Sequence, residues 1–138
     1  MKKCIVYQRK PRWSDTDAAK IVYTGRIGDY IIESVDNFIE KSLGVDWFKL
    51  NIDIGIGTPF VSMKYDIFLS ITPRDNLSCH VFLKNIGNSS VIFGVEIFND
   101  NDICCVKAET VNVFVKTDSI SKIRIPDDIR KSLEKFLI

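Results

Sequence analysis

The sequence predicts an α+β fold in which one long central helix is wrapped by a curved antiparallel sheet of five strands. The first observation behind this is a helical stripe. Ile27, Tyr30, Ile31, Val35, Phe38, Ile39 and Leu43 fall at offsets 0, 3, 4, 8, 11, 12 and 16, the recurrence of one face of a 3.6-residue helix. The second is a change of period. Segments 60–71, 77–86, 90–98 and 103–116 are rich in Val, Ile, Phe and Thr, the residues that pack well on a pleated surface. The third is the shortness of the connections, Pro73-Arg74-Asp75-Asn76, Asn85 to Asn88 with Gly87, and Asn99-Asp100-Asn101-Asp102. Turns this short pair successive strands antiparallel.

Taken in order, residues 3–9 form a first strand, which Pro11 confines to an edge or stops. The helix runs from about Gly25 to Leu43, with Thr24 as N-cap and Gly44 as the C′ residue. Asp29, Glu33, Asp36, Asn37, Glu40 and Lys41 fall on its other side. Gly55-Ile56-Gly57-Thr58-Pro59 lacks the lysine of a phosphate loop and precedes a strand, so it reads as a shaped loop. A short helix from about Pro126 to Phe136 closes the chain on the acidic start Asp127-Asp128. No repeat, low-complexity tract or linker interrupts the sequence, so residues 1–138 are expected to form a single domain. The apolar stripe is one helix wide, which leaves the sheet's second face to be covered. A second copy is the simplest cover, giving a homodimer or a homotetramer built from dimers.

At 138 residues such a domain buries about 65–70% of its unfolded surface. Nineteen basic against eighteen acidic side chains leave a net charge of +1, which argues against nucleic acid or an anionic membrane as partner. No apolar run reaches the roughly 18 residues of a membrane span, and Met1 to Lys10 has too short an apolar core for a signal peptide. Cys4, Cys79, Cys104 and Cys105 lack any CxxC spacing. They are expected as reduced thiols in a cytoplasmic protein.

Chemistry concentrates in Arg12-Trp13-Ser14-Asp15-Thr16-Asp17-Ala18-Ala19-Lys20-Ile21-Val22-Tyr23-Thr24-Gly25. Asp15 and Asp17 sit in a polar turn before the helix, so a base or nucleophile lies beside the backbone N–H donors of a helix N-terminus. That pairing suits attack on a carbonyl, although both aspartates also serve simply as turn formers. A D-x-D pair holds Mg²⁺ only with further oxygen ligands, and no third carboxylate stands beside it, so no metal is expected. His80, the only histidine, has no serine or aspartate at a motif spacing and reads as a packing or surface residue. Lys84, Lys107 and Lys116 read as solvated strand residues.

The segment WSDTDAAKIVYTGR with the long helix behind it resembles the start of the 4-hydroxybenzoyl-CoA thioesterases and related acyl-CoA thioesterases of the hotdog fold. GTPFVS, from Gly57 to Ser62, and the Lys84–Ser90 turn are similar to the same family, and the likeness extends from about Val6 to Pro126. The resemblance implies a thioester hydrolase for an aromatic or short-chain acyl-CoA, without cofactor. It implies Asp17 as the catalytic carboxylate, acting as nucleophile or as base on water. The oxyanion donor falls on the backbone N–H of Thr24, with Gly25 next to it. Substrate contacts fall on Tyr23, on Thr58 across a dimer interface, and on Lys84, Ser89 and Ser90 for the CoA phosphates and pantetheine. Three departures stand out: Lys20 replaces the glycine usual in the turn, Thr24-Gly25-Arg26-Ile27 replaces a more aromatic or Asn-containing helix start, and the Lys84–Ser90 turn is less basic. An acyl-carrier-protein thioesterase, drawn by Lys20 and Arg26, and a non-catalytic acyl-CoA-binding module are the alternatives. A dehydratase of the same fold is disfavoured, since its catalytic histidine is absent from this helix.

Overall fold

Residues 3–138 are described by a computed structural model. Strand β1 (Ile5–Arg9) is followed by a 3₁₀ turn (Trp13–Asp15) and helix α1 (Thr24–Leu43). A π-helical turn (Lys49–Ile54) and the short β2 (Ile56–Gly57) lead into β3 (Phe60–Ile67), β4 (Leu77–Ile86), β5 (Ser90–Phe98) and β6 (Cys104–Val113). The short β7 (Val115–Lys116) and β8 (Ser121–Lys122) precede α2 (Asp127–Glu134). The five long strands form one antiparallel sheet in the order β1-β4-β5-β6-β3, and β2-β7-β8 form a small second sheet.

Period decides which side chains meet. Leu77, Cys79, Val81 and Leu83 of β4 and Val91, Phe93, Val95 and Ile97 of β5 alternate onto the concave face and are fully buried. The stripe of α1, from Ile27 to Ile39, packs into them, and Leu43 joins at the margin. Phe38 is the hub, with its ring edge-on to Phe93 at 5.3 Å and to Phe136 at 5.0 Å. Each such side chain contributes about 1.5–3 kcal/mol of transfer free energy, so the helix is held by its stripe.

Several boundaries differ from the sequence reading, each for a visible reason. The N-cap is Tyr23, in extended conformation and without a side-chain cap, and Thr24 is the first helical residue. Gly44 ends α1 in the left-handed conformation, as expected (φ 68°). Strand β3 stops at Ile67 because the N–H groups of Phe68 and Leu69 both turn to the Cys105 carbonyl. The last strand breaks at Phe114, which turns inward and is buried, so that Val115 and Lys116 leave the main sheet to pair with β2.

The convex face of the sheet mixes ionic side chains with apolar ones such as Phe82, Ile92 and Val111. Lys64 stands opposite Glu109, Asp66 opposite Lys107, and His80 opposite Glu96; Glu109 carries both Lys64 (3.5 Å) and Lys84 (3.2 Å). Further apolar surface lies along the β3 edge and the loop after it, where Val61, Met63, Ile67, Phe68 and Leu69 are exposed. The polar side of α1 is not all solvent either. Glu33 is half-buried and accepts hydrogen bonds from Tyr7 Oη (3.0 Å) and Arg9 Nε (2.8 Å) of β1.

Candidate active site

The loop before α1 is a small hairpin. Thr16 bridges to Val22, the Asp17 N–H donates to the Ile21 carbonyl at 3.0 Å, and the Lys20 N–H to the Asp17 carbonyl at 2.9 Å. This is a three-residue loop whose last position is left-handed, and Lys20 occupies it at φ 65°. A lysine there costs on the order of 1 kcal/mol relative to glycine, and it places an exposed cation at the turn.

Within this hairpin the two aspartates separate. Asp15 is 3% exposed and faces the protein. Its Oδ2 accepts hydrogen bonds from Tyr30 Oη (2.5 Å) and the Arg12 N–H (3.1 Å), Arg9 lies 3.8 Å away, and Arg26 Nε lies 3.2 Å from Oδ1 as an ion pair. Burial alone would raise its pKa. The two hydrogen bonds and the two arginines outweigh it and hold the carboxyl below the usual range. The same burial and the facing carboxylate push the Tyr30 phenol up. Asp15 is thus structural, tying the loop to the second turn of α1.

Asp17 is exposed, with Oδ1 holding only the Ala19 N–H at 2.8 Å. The Tyr23 N–H is taken by the Asp15 carbonyl (3.2 Å), and the Arg26 and Ile27 N–H groups by the Tyr23 carbonyl. Among the described residues no acceptor meets the N–H of Thr24 or Gly25, the two donors a helix N-terminus leaves open. The Tyr23 ring folds over Gly25, where an added Cβ would sit 2.9 Å from it. Tyr65 of β3 donates to the Thr24 carbonyl at 2.8 Å, fixing the start of the helix on the sheet.

The other expected contacts lie at the far end of β3. Thr58 is buried, and its carbonyl accepts Asn112 Nδ2 at 2.9 Å. Pro59 next to it accepts the Val113 N–H, and Val113 pairs with Ser90, so Thr58, Ser89 and Ser90 cluster together. Five steps of β3, from Phe60 to the Tyr65 that meets Thr24, separate this cluster from Asp17, Tyr23, Thr24 and Gly25, roughly 17 Å. One chain therefore carries two groups of residues at opposite ends of its edge strand. Lys84 joins neither, because it reaches across Gly94 to Glu109 on the convex face.

The sequence reading also missed several residues here. Asn112 and Thr110 form a buried polar pair (3.1 Å) in an apolar strand, and Tyr30 and Tyr65 sit in helix and strand patterns that read as packing. Asp36 is half-buried, not solvated, and burial with Glu40 and Glu33 nearby raises its pKa to about 6. Only the polar interruption of an apolar run at Asn112 could have been noticed. His80 packs edge-on against Phe98, with Nδ1 3.6 Å from Cys4 Sγ. Among the described residues no cluster of three or more His, Cys, Asp or Glu could hold a metal, and no helix is long and apolar enough to cross a membrane.

A long helix cradled by a curved five-stranded antiparallel sheet defines the hotdog fold. The model of the Thioesterase-like superfamily matches residues 11–133, and the chain belongs to that superfamily. It is 27% identical over 129 residues to the 1,4-dihydroxy-2-naphthoyl-CoA hydrolase of Nostoc punctiforme, covering 93% of this chain and 85% of that one. Among solved structures it superposes on a thioesterase superfamily protein from Jannaschia sp. CCS1 with a TM-score of 0.92, at 29% identity over 98% of this chain and 94% of the other. A DHNA-CoA thioesterase from Staphylococcus aureus shares the fold with a TM-score of 0.86, at 18% identity over 96% and 89% of the two chains.

Replacing Asp15 by Ala leaves the buried Tyr30 phenol without its acceptor and Arg26 with Asp29 alone, and is expected to cost about 3 kcal/mol at neutral pH, read by chemical denaturation. The native carboxyl binds its proton less readily than the unfolded one. Its contribution is therefore complete above the unfolded pKa near 3.8 and is lost as pH falls through the lower native value. The gap between wild type and variant should narrow in acid.

Proposed function

We propose that this protein is an acyl-CoA thioesterase whose site is completed by a second copy. The observation that carries the reading is the exposed Asp17 carboxylate beside the open N–H groups of Thr24 and Gly25, in a chain of the Thioesterase-like superfamily. The thioester oxygen accepts from these donors, where the helix dipole favours developing negative charge. One such donor typically contributes roughly 10²–10³ in rate. Asp17 supplies the electron pair, either by adding to the carbonyl carbon to give an anhydride or by drawing a proton from an attacking water. In both routes the C–S bond breaks and CoA leaves as the thiol. In the first, the thiolate takes a proton from solvent and water then hydrolyses the anhydride, releasing the acid and restoring the Asp17 carboxylate. In the second, the acid forms directly and the proton that Asp17 drew from water passes to the departing thiolate. No metal or cofactor is needed in the proposed steps.

The second copy follows from the separation of the two clusters. Strand β3 is an edge with exposed apolar side chains, Val61 at 60% and Phe68 at 59%, which is a surface for pairing. Antiparallel pairing of two β3 edges about a two-fold axis sets the Asp17–Thr24 end of one chain against the Thr58–Ser90 end of the other. Tyr23 then flanks the thioester, Thr58 lines the acyl pocket, and Ser89 and Ser90 meet the pantetheine. A role for Lys84 on the CoA phosphates requires it to leave Glu109. A tetramer would add contacts elsewhere. CoA is favoured over a carrier protein because Arg26 is committed to Asp15 and Asp29 (3.1 Å), leaving Lys20 as the cation at the mouth. The aromatic acyl class is supported by the relatives' names, which specify dihydroxynaphthoyl-CoA and DHNA-CoA.

Free-thiol release from a panel of aromatic and aliphatic acyl-CoAs tests the activity. The expected result is turnover fastest with an aromatic acyl group, and no release from any member would contradict it. For the assembly, Val61→Glu places a charge in the paired edge. Light scattering is expected to show a dimer for wild type and a monomer for the variant, with hydrolysis falling at least tenfold; a fully active monomeric variant would contradict the shared site.

A further inference from the structure

A peptide group joins its N–H to the preceding residue's C=O in one conjugated unit, so a donor on the carbonyl makes the N–H a stronger donor in turn. Each of the two open N–H groups at the start of α1 belongs to such a unit. The Thr24 N–H shares its unit with the Tyr23 carbonyl, which accepts the N–H groups of Arg26 (3.0 Å) and Ile27 (3.3 Å) from within the helix. The Gly25 N–H shares its unit with the Thr24 carbonyl. Helix geometry supplies that carbonyl with one donor, four residues on. Its second lone pair accepts the Tyr65 hydroxyl of β3 at 2.8 Å. Tyr65 thus gives the Gly25 unit, from the sheet, the second donor that the Thr24 unit draws from the helix itself.

Gly28 lets the hydroxyl in. It is buried at the start of the second turn of α1, where glycine is the poorest helix former apart from proline. A Cβ there would sit 3.2 Å from Tyr65 Oη and 3.5 Å from Met63 Cε, close enough to push the hydroxyl away from the carbonyl. The glycine weakens the helix and keeps this contact open. We propose that Tyr65 is a positioning residue for the oxyanion site: through the Thr24 carbonyl it orients and strengthens the Gly25 N–H. That donor then depends on β3, the edge strand that pairs in the proposed dimer. The proposal rests on the thioesterase reading above and adds a residue that acts without touching the substrate. One oxyanion donor contributes roughly 10²–10³ in rate, and a neighbouring hydrogen bond strengthens another by roughly 10–30%. Together these set the loss on removing the hydroxyl at about two- to eightfold in kcat.

One arm of the test needs no substrate. Thr24-Gly25 is the only Thr-Gly pair in the sequence, so threonine labelled with ¹³C at the carbonyl, together with ¹⁵N-glycine, isolates the Gly25 amide in an NMR spectrum. Tyr65→Phe is expected to move its ¹⁵N resonance upfield while the melting temperature changes little. With the best acyl-CoA the same variant should lose about two- to eightfold in kcat at unchanged KM, with the dimer intact by light scattering. Gly28→Ala should lower kcat in the same direction while its melting temperature holds or rises. In a Tyr65→Phe background it should cause no further loss, because no hydroxyl remains to displace. Gly28→Ala carries both readouts alone if Tyr65→Phe does not fold. An unmoved Gly25 resonance or an unchanged kcat in folded Tyr65→Phe overturns the role of Tyr65 and leaves the thioesterase reading intact. So does a loss that appears only in KM or only with dissociation of the dimer. Hydrolysis of no acyl-CoA by wild type overturns that reading and this one together.

Discussion

The Asp15 carboxylate is the constraint on which the candidate site depends. It is buried at the junction of loop and helix, and it gathers Tyr30 Oη, the Arg12 N–H and the Arg26 guanidinium at once. Its own main-chain carbonyl takes the Tyr23 N–H. Side chain and backbone of one residue thus fix both the entry of the loop and the cap of α1. With the Tyr23 N–H occupied, the next two donors are left for something outside the helix. Asp17, two residues on, is held outward by the hairpin that Asp15 anchors. A buried charge network is an expensive way to fix a loop, since a well-packed apolar contact often does as well. Its use here is consistent with a need to place one exposed carboxylate and two N–H groups accurately.

Division of labour along the sheet follows from the same economy of parts. The concave face is filled by α1, the convex face carries the ion pairs of Glu109, and the β3 edge is apolar with no strand beside it among the described residues. Tyr65 connects that edge to Thr24, so whatever pairs with β3 also bears on the helix start. In the proposed assembly, folding, association and catalysis converge on this eight-residue strand.

The helix and the strands were legible because their periods are strong. Seven apolar positions at 3.6 spacing left α1 little freedom, and the Val-, Ile- and Phe-rich segments 77–86 and 90–98 coincide with β4 and β5. What was not legible depended on single backbone angles or on partners distant in sequence. Which of Asp15 and Asp17 turns inward is decided by a hairpin whose left-handed residue is Lys20, not a glycine. The resemblance, rather than spacing, pointed to Asp17. Strand β3 is shorter than its apolar run because Phe68 and Leu69 turn to Cys105, and Phe114 ends β6 by burying itself. Thr24 looked like a cap, yet the cap fell one residue earlier because Tyr23 is held by Asp15. The ion-pair cluster on the convex face was hidden because Lys64, Lys84 and Glu109 are far apart in the chain. Asp36 read as solvated because helical spacing gives the angle around the axis, not what covers it.

The most direct test of the central claim is steady-state hydrolysis of the best acyl-CoA by wild type and Asp17→Asn, with thermal melting and substrate binding measured on both. Asp17 has no buried partner, so the substitution should leave the melting temperature and the dissociation constant nearly unchanged. The account predicts that kcat falls by roughly 10²–10⁴-fold. An Asp17→Asn variant that turns over at the wild-type rate would contradict it.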